Sequence, residues 1–136
     1  MALDNGCVEQ ISLKFSDESI GPKVTTPFFY LERQHCVQEH DDIISGMDVT
    51  ADEKMLVTSS YDKCIVCLDL ETLRLESRIN EAHHDLITDL AANKVAAHTI
   101  ATAAQDGTVK SWDLRSNSRQ TCKLSSSFCH LHKVAN

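Results

Sequence analysis

The feature that most constrains the fold of this chain is an internal repeat with a period of about 44 residues. The segment 58–72, TSSYDKCIVCLDLET, aligns with the segment 102–116, TAAQDGTVKSWDLRS. A chain that repeats itself at this spacing folds as similar units, each of which buries its apolar face against the next. The aligned positions are Thr58 with Thr102, Asp62 with Asp106, Ile65 with Val109, Asp69 with Asp113 and Leu70 with Leu114.

The repeat continues upstream, and a partial copy precedes it. His40 opens the sequence HDDII, and His83 opens the similar sequence HHDLI one period later. Near the start, the segment 5–13 (NGCVEQISL) follows the pattern of DGTVKSWDL at 106–114. The sequence therefore predicts the last half of one unit followed by two full units.

Each full unit is predicted to form four short strands, because apolar runs alternate with turn residues. Asp106-Gly107 between two apolar runs is typical of a tight hairpin turn. The alanine-rich stretch 89–104 also has helix propensity, so an amphipathic helix is the alternative there. The register with the neighbouring unit favours strands. The predicted strands are 43–49, 54–60, 64–69 and 73–79, then 86–92, 98–104, 108–113 and 119–124.

The segment that joins the half unit to the first full unit predicts a loop and then a strand. The loop begins at Lys14 and contains Gly21 and Pro22. Residues 28–31, FFYL, are predicted to form the strand that closes the half unit. A cluster of aromatic side chains is more often part of a core than a binding patch, although both interpretations stay open.

The period, the leading His, the turn Asp and the terminal Trp112-Asp113 resemble WD40 repeats, and the resemblance covers about residues 2–124. It implies an all-β fold, an incomplete WD40 β-propeller of about two and a half four-stranded antiparallel blades. A closed propeller has about 4–8 blades, so we expect a fragment of a longer protein, with a truncated isoform or pairing with another chain as the alternatives. The predicted organisation is a half blade with loop and closing strand (1–39), two WD repeats (40–82 and 83–124), and a tail or interrupted next blade (125–136).

The resemblance also implies a buried chain of polar side chains in each repeat. In the second full repeat the indole of Trp112 would donate to Thr102, the hydroxyl of Thr102 to His83, and His83 to Asp106. In the first, Leu68 stands in the Trp position and cannot donate. The corresponding set there is His40, Thr58 and Asp62.

Six cysteines allow a disulfide framework or reduced thiols, and the absence of a secretory signal at the start favours thiols in a cytoplasmic and nuclear protein. Cys64 and Cys67 are three apart on a predicted strand and would face opposite sides, which disfavours a shared metal. The tail sequence CHLHK carries the other candidate metal ligands, but we expect neither a metal nor a cofactor. The tail ligands are Cys129, His130 and His132.

Composition and motifs exclude several classes of function. The net charge of −7 argues against nucleic-acid binding. No apolar run approaches the roughly 18 residues of a membrane span. A set of His, Asp and Ser/Thr could indicate a hydrolase, but it recurs in each repeat, and no G-x-S-x-G or phosphate-binding motif is present. The sequence predicts a protein that is not an enzyme.

The segment 38–70, followed by a repeat ending in SWDLRS, resembles WD-repeat subunits of the methylosome. The resemblance implies a non-catalytic adaptor that binds a type II protein arginine methyltransferase and presents basic, Arg-rich substrates such as histones and Sm proteins. An acidic surface in the first full blade would attract such partners. The candidate residues are Asp41, Asp42, Asp48, Asp52 and Glu53.

The alternative comes from the sequence Trp112-Asp113-Leu114-Arg115. Its W-D-x-R pattern resembles the motif of substrate receptors of cullin-based ubiquitin ligases. In that case Arg115 would contribute to binding the ligase.

Overall fold

The computed structural model describes residues 5–16, 28–115 and 119–125, and all regular structure in these ranges is β-strand. The described residues therefore contain no helix that could cross a membrane. Tail residues Cys129, His130 and His132 lie outside the described ranges. The strands are β1 (Cys7–Ser16), β2 (Phe28–Gln38), β3 (Ile44–Val49), β4 (Met55–Ser60), β5 (Ile65–Asp69), β6 (Leu75–Ile79), β7 (Ile87–Ala92), β8 (Thr99–Ala104), β9 (Thr108–Asp113) and β10 (Arg119–Ser125).

The strands form three antiparallel sheets that follow the sequence repeat. Blade 1 is the pair β1–β2, blade 2 has the order β3-β4-β5-β6, and blade 3 has the order β10-β9-β8-β7. The all-β prediction and the incomplete propeller are confirmed. The strands of both full repeats begin and end within two residues of their predicted bounds.

One detail of the prediction is wrong, and the disfavoured alternative is excluded. The loop predicted from Lys14 begins later, because β1 continues to Ser16 and pairs with Phe28. The helical alternative for the alanine-rich stretch fails, because residues 87–92 and 99–104 form the strands β7 and β8, which residues 93–98 connect. Along these strands buried Leu90 and Ile100 alternate with exposed Ala91 and Ala101, which is the period of a strand.

The central sheet, blade 2, is buried on both of its faces. Val57, Ile65 and Cys67 pack against blade 3, in a cluster that includes Ile87 and Trp112. On the opposite face, Leu56, Val66, Leu68 and Leu73 pack against Val8 of blade 1. A strand with two buried faces needs apolar residues at consecutive positions, which explains the continuous sequence IVCL in β5.

The same tight turn occurs in all three blades, but with different residues. Gly6 and Gly107 adopt positive φ angles of 78° and 74°. Lys63 has the corresponding place in blade 2 and also has a positive φ, 68°. At Gly6 a side chain is excluded, because a Cβ atom would collide with the carbonyl oxygen of His40.

Asp48, in the edge strand β3 of blade 2, joins this blade to blade 3. Its Oδ2 accepts a hydrogen bond from the backbone N–H of Ala92 at 2.9 Å, and its Oδ1 accepts one from Lys94 Nζ at 2.6 Å. The hydrogen bond from Lys94 is the largest of the effects that together lower the pKa of the Asp48 carboxyl. The contact thus favours the ionised carboxylate in the folded chain.

We expect Asp48→Ala to lower the free energy of unfolding by about 1–2 kcal/mol at neutral pH, because a charge-assisted contact between blades is lost. The folded pKa lies below the ordinary 3.8, so this contribution is present above that pH and lost as the pH falls through the folded pKa. Urea unfolding at pH 7 and pH 3 measures it. Asp89→Ala is the matched control, since Asp89 bonds only locally to the N–H of Leu90. Equal losses in the two variants would contradict the assignment.

Candidate functional site

Four side chains of blade 3 form a continuous buried chain of hydrogen bonds. Trp112 Nε1 donates to Thr102 Oγ1 at 2.9 Å, and Thr102 Oγ1 lies 2.8 Å from His83 Nε2. His83 Nδ1 lies 3.3 Å from Asp106 Oδ2. Because the Thr102 oxygen accepts from the indole, its own hydrogen is free to donate to Nε2. The proton of the neutral imidazole then resides on Nδ1, where it faces the Asp106 carboxylate.

Two further residues belong to this arrangement, and the sequence analysis missed both. Thr108 Oγ1 donates to Asp106 Oδ1 at 2.6 Å and lies 3.1 Å from His83 Nδ1. Lys110 is buried, donates to the carbonyl of Ala82 at 2.5 Å, and lies 5.7 Å from the centroid of the Trp112 ring. Thr108 could have been found from its position directly after the Asp-Gly turn.

Blade 2 has the shorter version of the same network. His40 Nδ1 lies 2.8 Å from Asp62 Oδ2, and His40 Nε2 lies 2.9 Å from Thr58 Oγ1. Leu68 is fully buried at the Trp position and provides no donor to Thr58. Arg78 Nη1 donates to the carbonyl of Glu39, the residue before His40, at 2.6 Å, as Lys110 does to the carbonyl of Ala82, the residue before His83, in blade 3.

The turn carboxylates also fix the loops that follow each His. Asp62 Oδ2 accepts the backbone N–H of Asp41 at 3.1 Å, and Asp106 Oδ2 accepts that of His84 at 3.0 Å. These hydrogen bonds fix the backbone of residues 39–43 and 80–86, which lie at the same end of their blades. We call these two segments the His-loop face.

Electrostatics favour an ionised Asp106 and a neutral His83. Burial opposes ionisation of Asp106, but hydrogen bonds from Thr108 and from the N–H of His84 outweigh it and hold the pKa far below the usual range. Burial lowers the pKa of His83, and the attraction of Asp106 opposes this only in part. At neutral pH the pair therefore carries one negative charge, on the Asp106 carboxylate.

The hydrogen-bond network of His83, Thr102, Asp106 and Trp112 has a structural role. His83 and Thr102 are each at least 98% buried, and their polar atoms are already used within the network. A hydrolase would need the hydroxyl and the imidazole to reach a substrate. The arrangement instead connects a loop, a turn and two strands of one blade.

The acidic residues predicted to form one surface are divided between two ends of blade 2. Exposed Asp41 and Asp42 precede β3, whereas Asp52 and Glu53 follow it. A strand of this length spans roughly 20 Å. Asp48 is within β3 and is paired with Lys94. Of the five acidic residues predicted from the sequence, only Asp41 and Asp42 belong to the His-loop face.

Arg115 follows β9 and forms a two-point contact with its neighbour Asp113. Its Nη2 donates to Oδ2 at 2.7 Å and its Nε to Oδ1 at 3.1 Å. This contact lowers the pKa of Asp113 to about 2. The guanidinium is exposed but already has a carboxylate partner.

Replacing Trp112 by Phe tests the network in blade 3. The ring stays apolar but the indole donor is lost, so we expect the free energy of unfolding to fall by about 1–3 kcal/mol. Val109→Ala, at an exposed position of the same strand, is the control and should cost less than about 0.5 kcal/mol. Chemical denaturation monitored by circular dichroism measures both. Indistinguishable stabilities would contradict a structural role for the indole N–H.

Stability should fall on acidification before any carboxylate titrates. The folded pKa of His83 is below its ordinary value of 6.5, so below that pH the unfolded chain binds a proton that the folded chain resists. The contribution of neutral His83 to the free energy of unfolding is fully present above pH 6.5 and is lost as the pH falls through the folded pKa of His83. Thermal melting between pH 8 and pH 5 measures it. His83→Gln should flatten this dependence, whereas His84→Gln, at an exposed position, should leave it; identical profiles for wild type and His83→Gln would disprove the assignment.

Comparison with known proteins places these features in a family. The family model "WD domain, G-beta repeat" matches residues 31–69 and 76–113. The WD repeat-containing protein 55 homolog of Drosophila persimilis is 37% identical over 79 residues, which cover 58% of this chain and 15% of that protein. The homolog of Drosophila melanogaster is 34% identical, over 58% of this chain and 16% of its own length. The chain thus spans less than a fifth of these relatives.

Solved structures show the same fold. Chaetomium thermophilum Sqt1, bound to the N-terminus of ribosomal protein L10, superimposes with a TM-score of 0.70 at 18% identity, over 91% of this chain and 30% of that one. A chain of the Mitotic Checkpoint Complex gives a TM-score of 0.62 at 13% identity, over 70% and 29%. None of these proteins is a methylosome subunit, so they give the more specific resemblance no support. The family match, the blades and the His–Asp networks agree: this chain belongs to the WD40 repeat family.

Proposed function

We propose that this chain is part of a WD-repeat scaffold that binds a basic protein segment at its His-loop face. The observation that carries the proposal is the pair of exposed carboxylates, Asp41 and Asp42, on a loop whose backbone is fixed by Asp62. A preorganised acidic loop binds a cationic segment without first having to become ordered. WD40 propellers are generally non-catalytic, which fits a role in binding.

Charge on the His-loop face extends from one blade to the next. The side chain of Asp41 is 93% exposed, and the corresponding loop of blade 3 carries Glu81 and Asp85. Arg78 lies 3.9 Å from Asp41 and Lys63 donates to the carbonyl of His84, so two cations partly offset the acidic residues. The chain as a whole carries a net charge of −7, which would speed the encounter with a basic partner.

The comparisons support a protein as the partner. Sqt1, which shares the fold, is bound to the N-terminus of ribosomal protein L10, so a protein with this fold binds a protein segment. The low identity to Sqt1 carries no information on which segment this chain binds.

An arginine methyltransferase as partner, Arg-rich substrates, and a cytoplasmic and nuclear location remain predictions that rest on the sequence. The ubiquitin-ligase alternative is less favoured by the geometry, because Arg115 already binds Asp113 and a new partner would have to displace that carboxylate.

Neutralising the two carboxylates tests the proposal. We expect Asp41→Asn/Asp42→Asn to weaken binding of an Arg-rich histone-tail peptide at least threefold, because two exposed charges facing the peptide are lost while the loop hydrogen bonds stay. Fluorescence anisotropy at low and physiological salt measures the affinity, and the difference should shrink with added salt.

The control changes the same number of charges at the opposite end of blade 2. Glu53→Gln/Glu71→Gln alters two exposed carboxylates outside the His-loop face. If this variant weakens binding as much as the Asp41/Asp42 variant does, the attraction comes from net charge, and the proposed surface is wrong.

A further inference from the structure

Cys7 and Cys36 lie on adjacent strands of blade 1 and on the same face of the sheet. In the antiparallel register Cys7 is opposite Gln38, and Glu9 is opposite Cys36. Positions two apart share a face, so the two cysteines are diagonal neighbours. The register irregularity between Gln10 and Ile11 comes after both pairs, so the ladder is regular where the cysteines lie.

The Cys36 thiol affects the ionisation of the Cys7 thiol. Burial raises the pKa of the Cys7 thiol, and the neighbouring Cys36 raises it further. The carboxylate of Glu9, held by Arg33 at 2.9 Å, acts in the same direction. Both cysteines are free thiols in the structure.

Cys64 and Cys67 are not arranged in this way. Cys64 directly precedes β5, Cys67 lies three positions later within it, and both are buried. Cys64 Sγ approaches the carbonyl of Asp62 at 3.5 Å, whereas the thiol of Cys67 bonds Ser77. Of Cys7, Cys36, Cys64 and Cys67, Cys36 alone is exposed.

We propose that Cys7 and Cys36 are a thiol modification site, at which glutathione disulfide is reduced and the two cysteines are joined by a disulfide across the β1–β2 hairpin. Their unequal exposure assigns the steps. Exposed Cys36 meets glutathione disulfide first, and buried Cys7 completes the reaction.

The chemistry balances in two exchanges. The Cys36 thiolate attacks one sulfur of glutathione disulfide, forms a mixed disulfide, and releases one glutathione thiolate. The Cys7 thiol then gives its proton to solvent and attacks Cys36 Sγ, releasing the second glutathione. Two protein thiols are oxidised to one disulfide, and one glutathione disulfide is reduced to two glutathione molecules.

The disulfide would form at the end of blade 1 that contacts blade 2. Cys7 follows Gly6, where a Cβ atom would collide with the carbonyl of His40, and the backbone N–H of Cys7 donates to Asn5 Oδ1 at 3.2 Å. A covalent bond here would hold together the two strands of the smallest sheet. It would therefore raise the thermal midpoint of the oxidised chain above that of the reduced chain.

The experiment treats the purified, reduced full chain with mixtures of glutathione disulfide and glutathione, blocks residual thiols by alkylation, and maps the peptides by mass spectrometry. We expect the Cys7–Cys36 linked peptide to be the main oxidised product, with Cys64 and Cys67 alkylated. Dithiothreitol should restore the thiols and lower the thermal midpoint again.

Two variants separate the steps. Cys7→Ser should trap glutathione on Cys36, whereas Cys36→Ser should leave Cys7 unmodified. The wild-type map decides the proposal even if a variant fails to fold. Glutathione retained on Cys36 of the wild type, a disulfide from Cys36 to any other cysteine, or no oxidation at all would each overturn it.

Discussion

A buried hydrogen bond between a histidine and an aspartate, formed once in each full repeat, fixes the path of the chain within each full blade. Each His precedes the first strand of its blade, and each Asp is in the turn between the second and third strands. The bond therefore joins segments about 22 residues apart and closes one end of the blade. The burial of these polar groups is tolerated because hydroxyls and backbone N–H groups satisfy the remaining positions.

The stability of each sheet depends on its neighbours as well as on its own residues. Ile65 and Val109 have the same place in the repeat, yet Ile65 is fully buried and Val109 is 42% exposed. Blade 3 covers Ile65, whereas no sheet among the described residues packs over Val109. The same local sequence pattern thus has different energetic value in the middle and at the edge of the array.

Much of this could be predicted from the sequence, because a repeat provides its own alignment. The strand bounds follow from the matched positions, and the grouping of His83, Thr102, Asp106 and Trp112 follows from the resemblance to WD40 repeats. Contacts between blades could not be predicted in this way: Asp48 binds a backbone N–H of β7, and no residue type marks a backbone donor. The acidic surface was predicted as one patch because its residues are close in sequence, but β3 separates its two halves.

The turn of blade 2 carries lysine at the left-handed position where the turns of blades 1 and 3 carry glycine. Glycine would adopt this backbone without steric cost, but it has no side chain to extend. Lys63 extends its ammonium group to the carbonyl of His84, so the turn of blade 2 also contacts the loop that leads into the next sheet. The positive φ angle of Lys63 is less favourable than that of a glycine, but the lysine side chain gains a hydrogen bond to the neighbouring blade.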